Sequence, residues 1–158
     1  RPPEYVKTTT EVYKEAVISI EQKSYTKDKV ENWKKRLSMV FNRGFWDGYY
    51  LGRKLGEWSN IYGSRATRKK VFVGEVTNFF KKISVAEIKL KANSINISDD
   101  ILIIGPTTGV VELKIIEIRK ELQNVDEANK GDTISIPIEN VIVRRSDKVY
   151  KLIEADFF

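Results

Sequence analysis

The sequence predicts an α+β protein in which a helical part comes first and an antiparallel β-structure follows. Up to residue 41, apolar residues recur at steps of three and four, which is the period of an amphipathic helix. From residue 71 they recur at every second position, as in a strand with one buried face. A stretch rich in glycine and aromatic residues separates the two patterns. We therefore expect a helical connector over residues 1–63 and a β-domain over residues 64–158.

Two amphipathic helices are predicted before the glycine-rich stretch. The first, over residues 4–22, has an apolar stripe that needs a partner surface. The second, over residues 27–41, begins after Thr26, a favourable N-cap residue. It is expected to end at Gly44, which can adopt a positive φ at C′. Two helices alone would form a thin core, so we expect them to dock on another domain.

The glycine-rich stretch places glycine at every fourth position, at Gly44, Gly48, Gly52 and Gly56. Two interpretations remain open: a helix whose glycine face lies close to another backbone, or a looped segment whose glycines supply unusual φ values. Stacking of the interleaved aromatic residues on nucleobases is conceivable, but packing in a core is the more common use of such residues.

Seven short strands are predicted in the second part. They cover residues 71–76, 83–90, 101–104, 110–122, 133–136, 141–143 and 149–153. Residues 79–80 extend the first strand, and a β-bulge is expected near residues 115–116. Short strands at a spacing of about ten residues, with turn signals between them, indicate a small closed β-barrel.

The composition restricts the chemistry of this chain. It contains no cysteine and no histidine, so it has no thiolate ligand, no imidazole ligand and no Ser-His or Cys-His pair. We therefore expect no catalytic residue, no metal site and no cofactor here. Whether a longer parent protein is an enzyme stays open at this point.

The net charge of +6 and the pI near 9.4 have two interpretations. A positive excess favours polyanions such as RNA, but a lysine-rich solvated surface has the same composition. The candidate residues for nucleic-acid binding are Arg65, Arg68, Lys69, Lys70, Lys81 and Lys82. No apolar run is long enough to span a membrane and no export signal is visible, so we expect a cytoplasmic protein without a membrane partner.

A short pattern occurs twice in the β-part: a turn, an acidic residue and a buried strand. The copies begin at Ile97 and at Ala128 and contain Asp99-Asp100 and Gly131-Asp132. With Gly74-Glu75-Val76 in the first hairpin, the pattern resembles the barrel that forms the second domain of elongation factor Tu. The resemblance implies that Asp99 takes the position that glycine occupies in the second copy.

A longer combination of residues is more specific. The block Asn42-Arg43-Gly44-Phe45 is followed by Gly48 and Gly52 and then by the predicted barrel. This combination resembles the C-terminal part of proteins of peptidase family U32, the collagenase-like family, which also includes proteins required for hydroxylating a wobble uridine of tRNA and a cytidine of ribosomal RNA. In that family a TIM-barrel-like domain comes first and holds the presumed active centre.

The resemblance implies an accessory role. This chain, which begins with Arg1, would be cut from a longer protein, and its first helix would close the missing barrel. The six block residues would be structural. The chain would dock substrate and stabilise the missing N-terminal catalytic domain, its expected partner. The substrate would be a protein chain or, alternatively, a tRNA or rRNA.

Overall fold

The computed structural model describes residues 1–45 and 63–155, which form two compact units. Among the described residues, the helical unit comprises residues 1–45, 63–68 and 154–155, and the β-unit comprises residues 69–153. The predicted boundary between residues 63 and 64 stays a prediction. None of the helices in the described ranges is long and apolar enough to cross a membrane.

The helical unit contains α1 (Pro3–Glu21) and α2 (Lys27–Met39), close to the predicted ranges. Thr26 is the N-cap of α2, as predicted, and its hydroxyl accepts a hydrogen bond from the Lys29 amide at 3.4 Å. Glu15 of α1 accepts hydrogen bonds from the Trp33 indole at 3.0 Å and from the Arg36 guanidinium at 2.6 Å. The bond to Arg36 is the main reason why the pKa of Glu15 is lowered.

The β-unit is built from ten strands. They are β1 (Arg68–Phe80), β2 (Val85–Leu90), β3 (Ile95–Asn96), β4 (Asp100–Gly105), β5 (Gly109–Lys114), β6 (Arg119–Lys120), β7 (Gln123–Asn124), β8 (Glu127–Ala128), β9 (Thr133–Pro137) and β10 (Lys148–Glu154). Eight strands form one antiparallel sheet in the order β5-β4-β10-β1-β2-β9-β6-β7, and β3 pairs with β8 in a small separate ribbon. The α+β class is therefore confirmed.

The prediction of a closed barrel is wrong. In the described residues, β5 and β7 are the two ends of the strand order and do not pair with each other. The strand predicted over residues 110–122 is split, because the chain leaves the ladder after Lys114 and returns only as the two-residue strand β6. Residues 141–143 do not form a strand. The resemblance to the second domain of elongation factor Tu is not shown.

One apolar core fills the β-unit. Alternate residues of each long strand point into it, for example Ala86, Ile88 and Leu90 of β2, all at most 1% exposed. The two ends of the strand order also contribute, through Val111 of β5 and through Ile118 next to β6. Because the strands at both ends of the sheet contribute to the same buried apolar cluster, the sheet is curved, with this core on its concave face.

A turn that occurs three times attaches the strands to this core. In each copy the fourth residue is an aspartate, whose amide donates to the carbonyl of the first residue and whose carboxylate accepts the amide of the first residue. The copies are Asn96–Asp99, Asn129–Asp132 and Arg144–Asp147. The third residue is in the left-handed region, with φ of 73° at Ser98, 98° at Gly131 and 73° at Ser146.

Each turn also makes the same pair of backbone bonds to a buried residue. The third residue of the turn donates to that residue's carbonyl, and the amide of that residue donates to the aspartate carbonyl, at 2.8–2.9 Å. The buried partners are Ile115, Leu90 and Val76, each at most 2% exposed. The prediction that Asp99 takes the glycine position is therefore wrong: Ser98 takes it, and Asp99 corresponds to Asp132.

Candidate functional site

Of the basic residues predicted as a nucleic-acid site, the four lysines form two pairs at opposite ends of β1. Arg65 and Arg68 belong to the helical unit, whereas the four lysines belong to the β-unit. Lys69 and Lys70 lie at the start of β1, and Lys81 and Lys82 follow its other end. The 13-residue strand separates the two lysine pairs by a distance on the order of 30 Å. Lys70 lies over the Tyr150 ring, 5.0 Å from its centroid.

One of these lysines, Lys81, lies beside two arginines. Lys81 lines an open groove of about 770 Å³ together with Arg144 and Arg145 of the third turn. We call it the basic groove; its other lining residues are Thr77, Asn78, Phe79, Glu87, Ile142 and Val143. In the two other turns the first residue is asparagine, at Asn96 and Asn129, so the same backbone geometry presents a pair of guanidinium groups only in the third turn.

A β-bulge shapes this groove. The register of β1 against β2 shifts between Val76 and Asn78, which leaves Thr77 without an opposite residue. The Thr77 hydroxyl donates to the Glu87 carboxylate at 2.6 Å and lies 3.2 Å from the Glu87 carbonyl oxygen. The Glu87 carboxylate in the groove is thus hydrogen-bonded to Thr77, and Arg144 and Arg145 line the same groove from the exposed third turn.

A second, apolar groove of about 570 Å³ adjoins the basic groove. It lies on the outer face of the sheet, where Phe80, Val85 and Pro137 stand opposite one another on β1, β2 and β9. Ile83 and Leu122 complete its apolar lining and are 67% and 95% exposed. Glu87, Glu117, Arg119, Ser135 and Ile136 line the rest, and Glu87 belongs to both grooves.

Leu122 is held at the tip of a strained hairpin. Glu121 and Leu122 form the two-residue loop between β6 and β7, and their φ values are 51° and 66°. Positive φ at both positions is typical of a type I′ turn, which favours asparagine and glycine. A leucine in this conformation, almost fully exposed, contributes little to the core of the β-unit.

The Asn42–Phe45 block forms a turn in the helical unit. The Asn42 side-chain nitrogen Nδ2 donates to the carbonyls of Ser38 at 3.2 Å and Val40 at 2.9 Å, and the side-chain oxygen Oδ1 accepts the Gly44 backbone amide at 3.1 Å. The Asn42 carbonyl accepts the Arg65 amide at 2.7 Å. These contacts support a structural role, in which Asn42 satisfies carbonyls at the end of α2.

Gly44 does not end α2, contrary to the prediction. The helix ends at Met39, and Gly44, with φ of +93°, lies in the turn that follows. Arg43 and Phe45 are exposed parts of the same block, and Phe45 is 54% exposed. Gly48 and Gly52 lie outside the described residues, so their predicted role stays a prediction.

Within residues 1–45 and 63–155, no three carboxylate side chains are close enough together to hold a metal ion. The charged groups of the β-unit instead form surface ion pairs, such as Lys151–Asp99 at 2.7 Å and Lys120–Asp132 at 2.8 Å. These two pairs attach to the aspartates of the first and second turns.

Sequence reasoning missed Arg144, Arg145 and Leu122 as surface residues of interest. A signal for the arginines was present, because Ser146-Asp147 repeats the pattern of Ser98-Asp99 before a buried strand. The third copy of the turn was not recognised, because its first residue is Arg144, whereas the other two copies begin with asparagine. Leu122 had no such signal, because it was assigned to a strand that does not exist.

Comparison with known proteins gives the following similarities. Residues 1–60 match the family model described as peptidase family U32. The chain is 49% identical over 151 residues to a collagenase of Porphyromonas gingivalis, covering 96% of this chain and 36% of that protein. It is 39% identical over 154 residues to an uncharacterized protease of Methanocaldococcus jannaschii, covering 96% of this chain and 37% of that protein.

A solved structure is also similar. It is the C-terminal domain of a protein assigned to the U32 peptidases from Geobacillus thermoleovorans, with a TM-score of 0.47 and 17% identity, covering 51% of this chain and 90% of that domain. This chain covers 36% of the Porphyromonas gingivalis collagenase and 37% of the Methanocaldococcus jannaschii protein, so it spans little more than a third of the length of either relative.

Proposed function

Since the resemblance of this chain to peptidase family U32 is confirmed, we propose that the chain is the accessory C-terminal part of a longer U32-type protein and docks a protein substrate for it. One observation carries the proposal. The similarity extends over 96% of this chain but over only 36% of the collagenase that it resembles. In a longer protein of this kind, the region outside the part that matches this chain would carry out the peptidase chemistry.

The residue inventory supports a role in binding. With no histidine and no cysteine in the chain, a serine or cysteine nucleophile has no imidazole base here. The polar groups described above hold turns and strands in place. Binding needs only surfaces, and the two grooves of the β-unit supply them.

An exposed stripe on α1 supports the second half of the role, which is to stabilise the rest of the protein. Val6, Tyr13, Val17 and Ile20 lie on one face of the helix and are 52–65% exposed. Burying such a stripe against a preceding domain would stabilise both parts through the hydrophobic effect.

RNA binding is a second candidate function. The observation in its favour is the basic groove, where Lys81, Arg144 and Arg145 line one surface. Affinity for RNA would then fall steeply with salt concentration, because bound cations are released from the phosphates.

A binding and cleavage assay tests the main proposal. The chain is titrated against fluorescein-labelled gelatin, with labelled albumin as the control polypeptide. We expect saturable binding to gelatin, weaker binding to albumin, and no new cleavage products after prolonged incubation. Cleavage of gelatin by this chain alone, or absence of any binding, would contradict the proposal.

A further inference from the structure

We propose that the two adjoining grooves of the β-unit are one docking surface for an extended polypeptide segment that carries both acidic and aliphatic side chains. The inference rests on the proposed docking function and specifies where the substrate binds and what chemistry is recognised. We call this the hairpin-end surface, because it surrounds the end of the β1–β2 hairpin. Its key residues are Phe80, Lys81, Ile83, Leu122, Pro137, Arg144 and Arg145.

The register of the sheet makes the surface continuous. On the outer face, Phe80 is opposite Val85, and Val85 is opposite Pro137. The next outward row contains Asn78, which is opposite Glu87, and then Ser135. Side chains directly opposite on neighbouring strands lie about 5 Å apart. The apolar row and the polar row are therefore next to each other, and the polar row leads from the apolar groove into the basic groove.

The cations of this surface are available for an acidic partner. In the described part of the chain, Lys81, Arg144 and Arg145 make no ion pair with a carboxylate of the protein. Elsewhere on the β-unit such pairs are common; Glu75, for example, binds both Lys91 and Lys148. Guanidinium groups bind carboxylates in a bidentate manner, so the Arg144-Arg145 pair suits aspartate or glutamate side chains.

The apolar side of the surface is unusually exposed. Leu122 is 95%, Ile83 67% and Ile142 53% exposed, and all three lie along the grooves. Leu122 is also in the left-handed region, which is unfavourable for a residue of its shape. Unfavourable backbone conformations of this kind concentrate at binding sites, where the side chain is used for contact.

The apolar residues favour a polypeptide over a nucleic acid. Single-stranded nucleic acids bind by stacking bases on aromatic rings along a basic groove. Here the exposed apolar residues are mainly aliphatic, namely Ile83, Leu122 and Ile142, and the half-buried Val85 and Pro137 extend the same apolar surface. Of the groove residues with rings, only Phe80 is exposed, at 42%. Aliphatic side chains of a protein chain fit such a surface better than nucleobases do.

The test is a fluorescence anisotropy titration of the whole chain with three labelled probes. The first is a peptide that alternates glutamate with leucine, the second is its counterpart with lysine in place of glutamate, and the third is a single-stranded oligouridine. We expect the acidic peptide to bind and the basic peptide to bind at least about tenfold more weakly, a ratio that corresponds to one lost charge-assisted contact.

Paired variants assign the binding to the surface. Arg144→Ser with Arg145→Ser should weaken the acidic peptide by about tenfold or more, whereas Lys114→Ser with Lys130→Ser, which removes two exposed charges outside the grooves, should not. Leu122→Asn should weaken it by about threefold to tenfold, whereas Ile116→Asn, also at an exposed apolar position, should not.

Three results would overturn the inference. One is equal binding of acidic and basic peptides. Another is acidic-peptide binding that none of the groove variants changes. The third is tight oligouridine binding that depends on Arg144 and Arg145 but not on Leu122, which would make the surface a nucleic-acid interface. If gelatin still binds this chain in any of these cases, the docking function stands and only its assignment to this surface fails.

Discussion

At the scale of single residues, the third position of the repeated turn shows how backbone conformation selects residue type. Gly131 adopts φ of +98° with no atom within 4 Å of the position that a Cβ would take. Ser98 and Ser146 adopt the same region with a side chain. Strain at these serines is offset by the hydrogen bonds that the turn makes to the core.

Replacing Gly131 by alanine should destabilise the protein by about 1–2 kcal/mol, because only the left-handed backbone opposes the new Cβ. Ser146→Gly is the matched reverse change and should not destabilise by more than about 0.5 kcal/mol, since the relief of strain offsets the added chain entropy. Urea unfolding of both variants measures the difference. Equal effects of the two changes would show that the turn conformation is not the cause.

Glu75 gives a prediction about pH. Hydrogen bonds from Lys91 and then from Lys148 lower the pKa of this carboxyl from 4.5 to about 2. Because the pKa is lowered in the folded state, the stabilisation is fully present above pH 4.5 and is lost as the pH falls toward 2. Glu75→Gln should therefore show a shallower loss of stability than the native chain over this window, measured as the urea midpoint at each pH.

The control for this pH experiment is Glu139→Gln, which changes an exposed carboxylate without an ion pair in the described residues. It should follow the native curve. If Glu75→Gln also follows the native curve between pH 4.5 and 2, the two lysines do not stabilise the ionised carboxylate.

Some residue positions were predictable from the sequence and others were not. Thr26 was predicted as an N-cap because its hydroxyl is followed by a helical period. The left-handed conformation of Ser98 was not predicted, because a serine, unlike a glycine, does not indicate a positive φ. The prediction therefore assigned the left-handed position to the next residue, Asp99. The carboxylate at the fourth turn position, not the glycine, is the feature that all three copies share.

At the scale of elements, the Asn42 side chain holds the turn that follows α2 through hydrogen bonds. It donates to the carbonyls of Ser38, in the last turn of α2, and of Val40, the C-cap residue, and accepts the Gly44 amide. Asn42→Ala should lower the stability of the helical unit by about 1–3 kcal/mol, because the Val40 carbonyl and the Gly44 amide lose their hydrogen-bond partner. The Ser38 carbonyl, by contrast, keeps the Thr67 amide at 3.0 Å. Circular dichroism in urea measures the loss of helix.

The matched control for Asn42 is Asn93→Ala, which removes one side-chain hydrogen bond, to the Phe72 carbonyl at 2.7 Å. It should cost about 1 kcal/mol or less. A similar effect of both variants would mean that the Asn42 turn has no special role in the helical unit.

A double variant in the β6–β7 hairpin is predicted to raise the stability of the protein and to weaken its binding of the acidic peptide. Glu121→Asn with Leu122→Gly supplies the residues that a type I′ turn favours, so the double variant should be more stable by about 1 kcal/mol. It also removes the most exposed apolar side chain, so it should bind the acidic peptide more weakly. Calorimetric unfolding and anisotropy on the same preparation measure both effects. A variant that is both less stable and equally tight in binding contradicts this account of Leu122.

Element types were easier to predict than their connections. The periods of α1, α2, β1, β2 and β9 placed these elements within a few residues of their positions. The region between residues 110 and 122 misled the prediction, because its apolar residues continue while the hydrogen-bonded ladder stops at Lys114. Strand pairing depends on residues that are far apart in the chain, and the local period of apolar residues does not specify which strands pair.

At the scale of the whole molecule, whether the sheet closes into a barrel could not be predicted from the spacing of the strands in the sequence. Strand spacing indicated a closed barrel, but closure requires that the first and last strands meet, and β6 and β7 have only two residues each. The resemblance to peptidase family U32 was predictable, because it depends on residue identities and not on pairing.

The grooves likewise join residues that are far apart in the chain. Lys81 follows β1, Leu122 lies between β6 and β7, and Arg145 precedes β10. Only the strand order brings them to one end of the sheet. A sequence-based search for basic runs therefore found Lys81 but not the two arginines that line the same groove.

The central claim is that this chain docks substrate while the chemistry takes place elsewhere in a longer protein. The most direct measurement exchanges the matching region of the Porphyromonas gingivalis collagenase for this chain and determines kcat and KM on labelled gelatin. Adding Arg144→Ser, Arg145→Ser and Leu122→Asn to the chimera should raise KM by about tenfold and leave kcat within about twofold. A fall in kcat at unchanged KM would place this chain in the chemistry itself and contradict the claim.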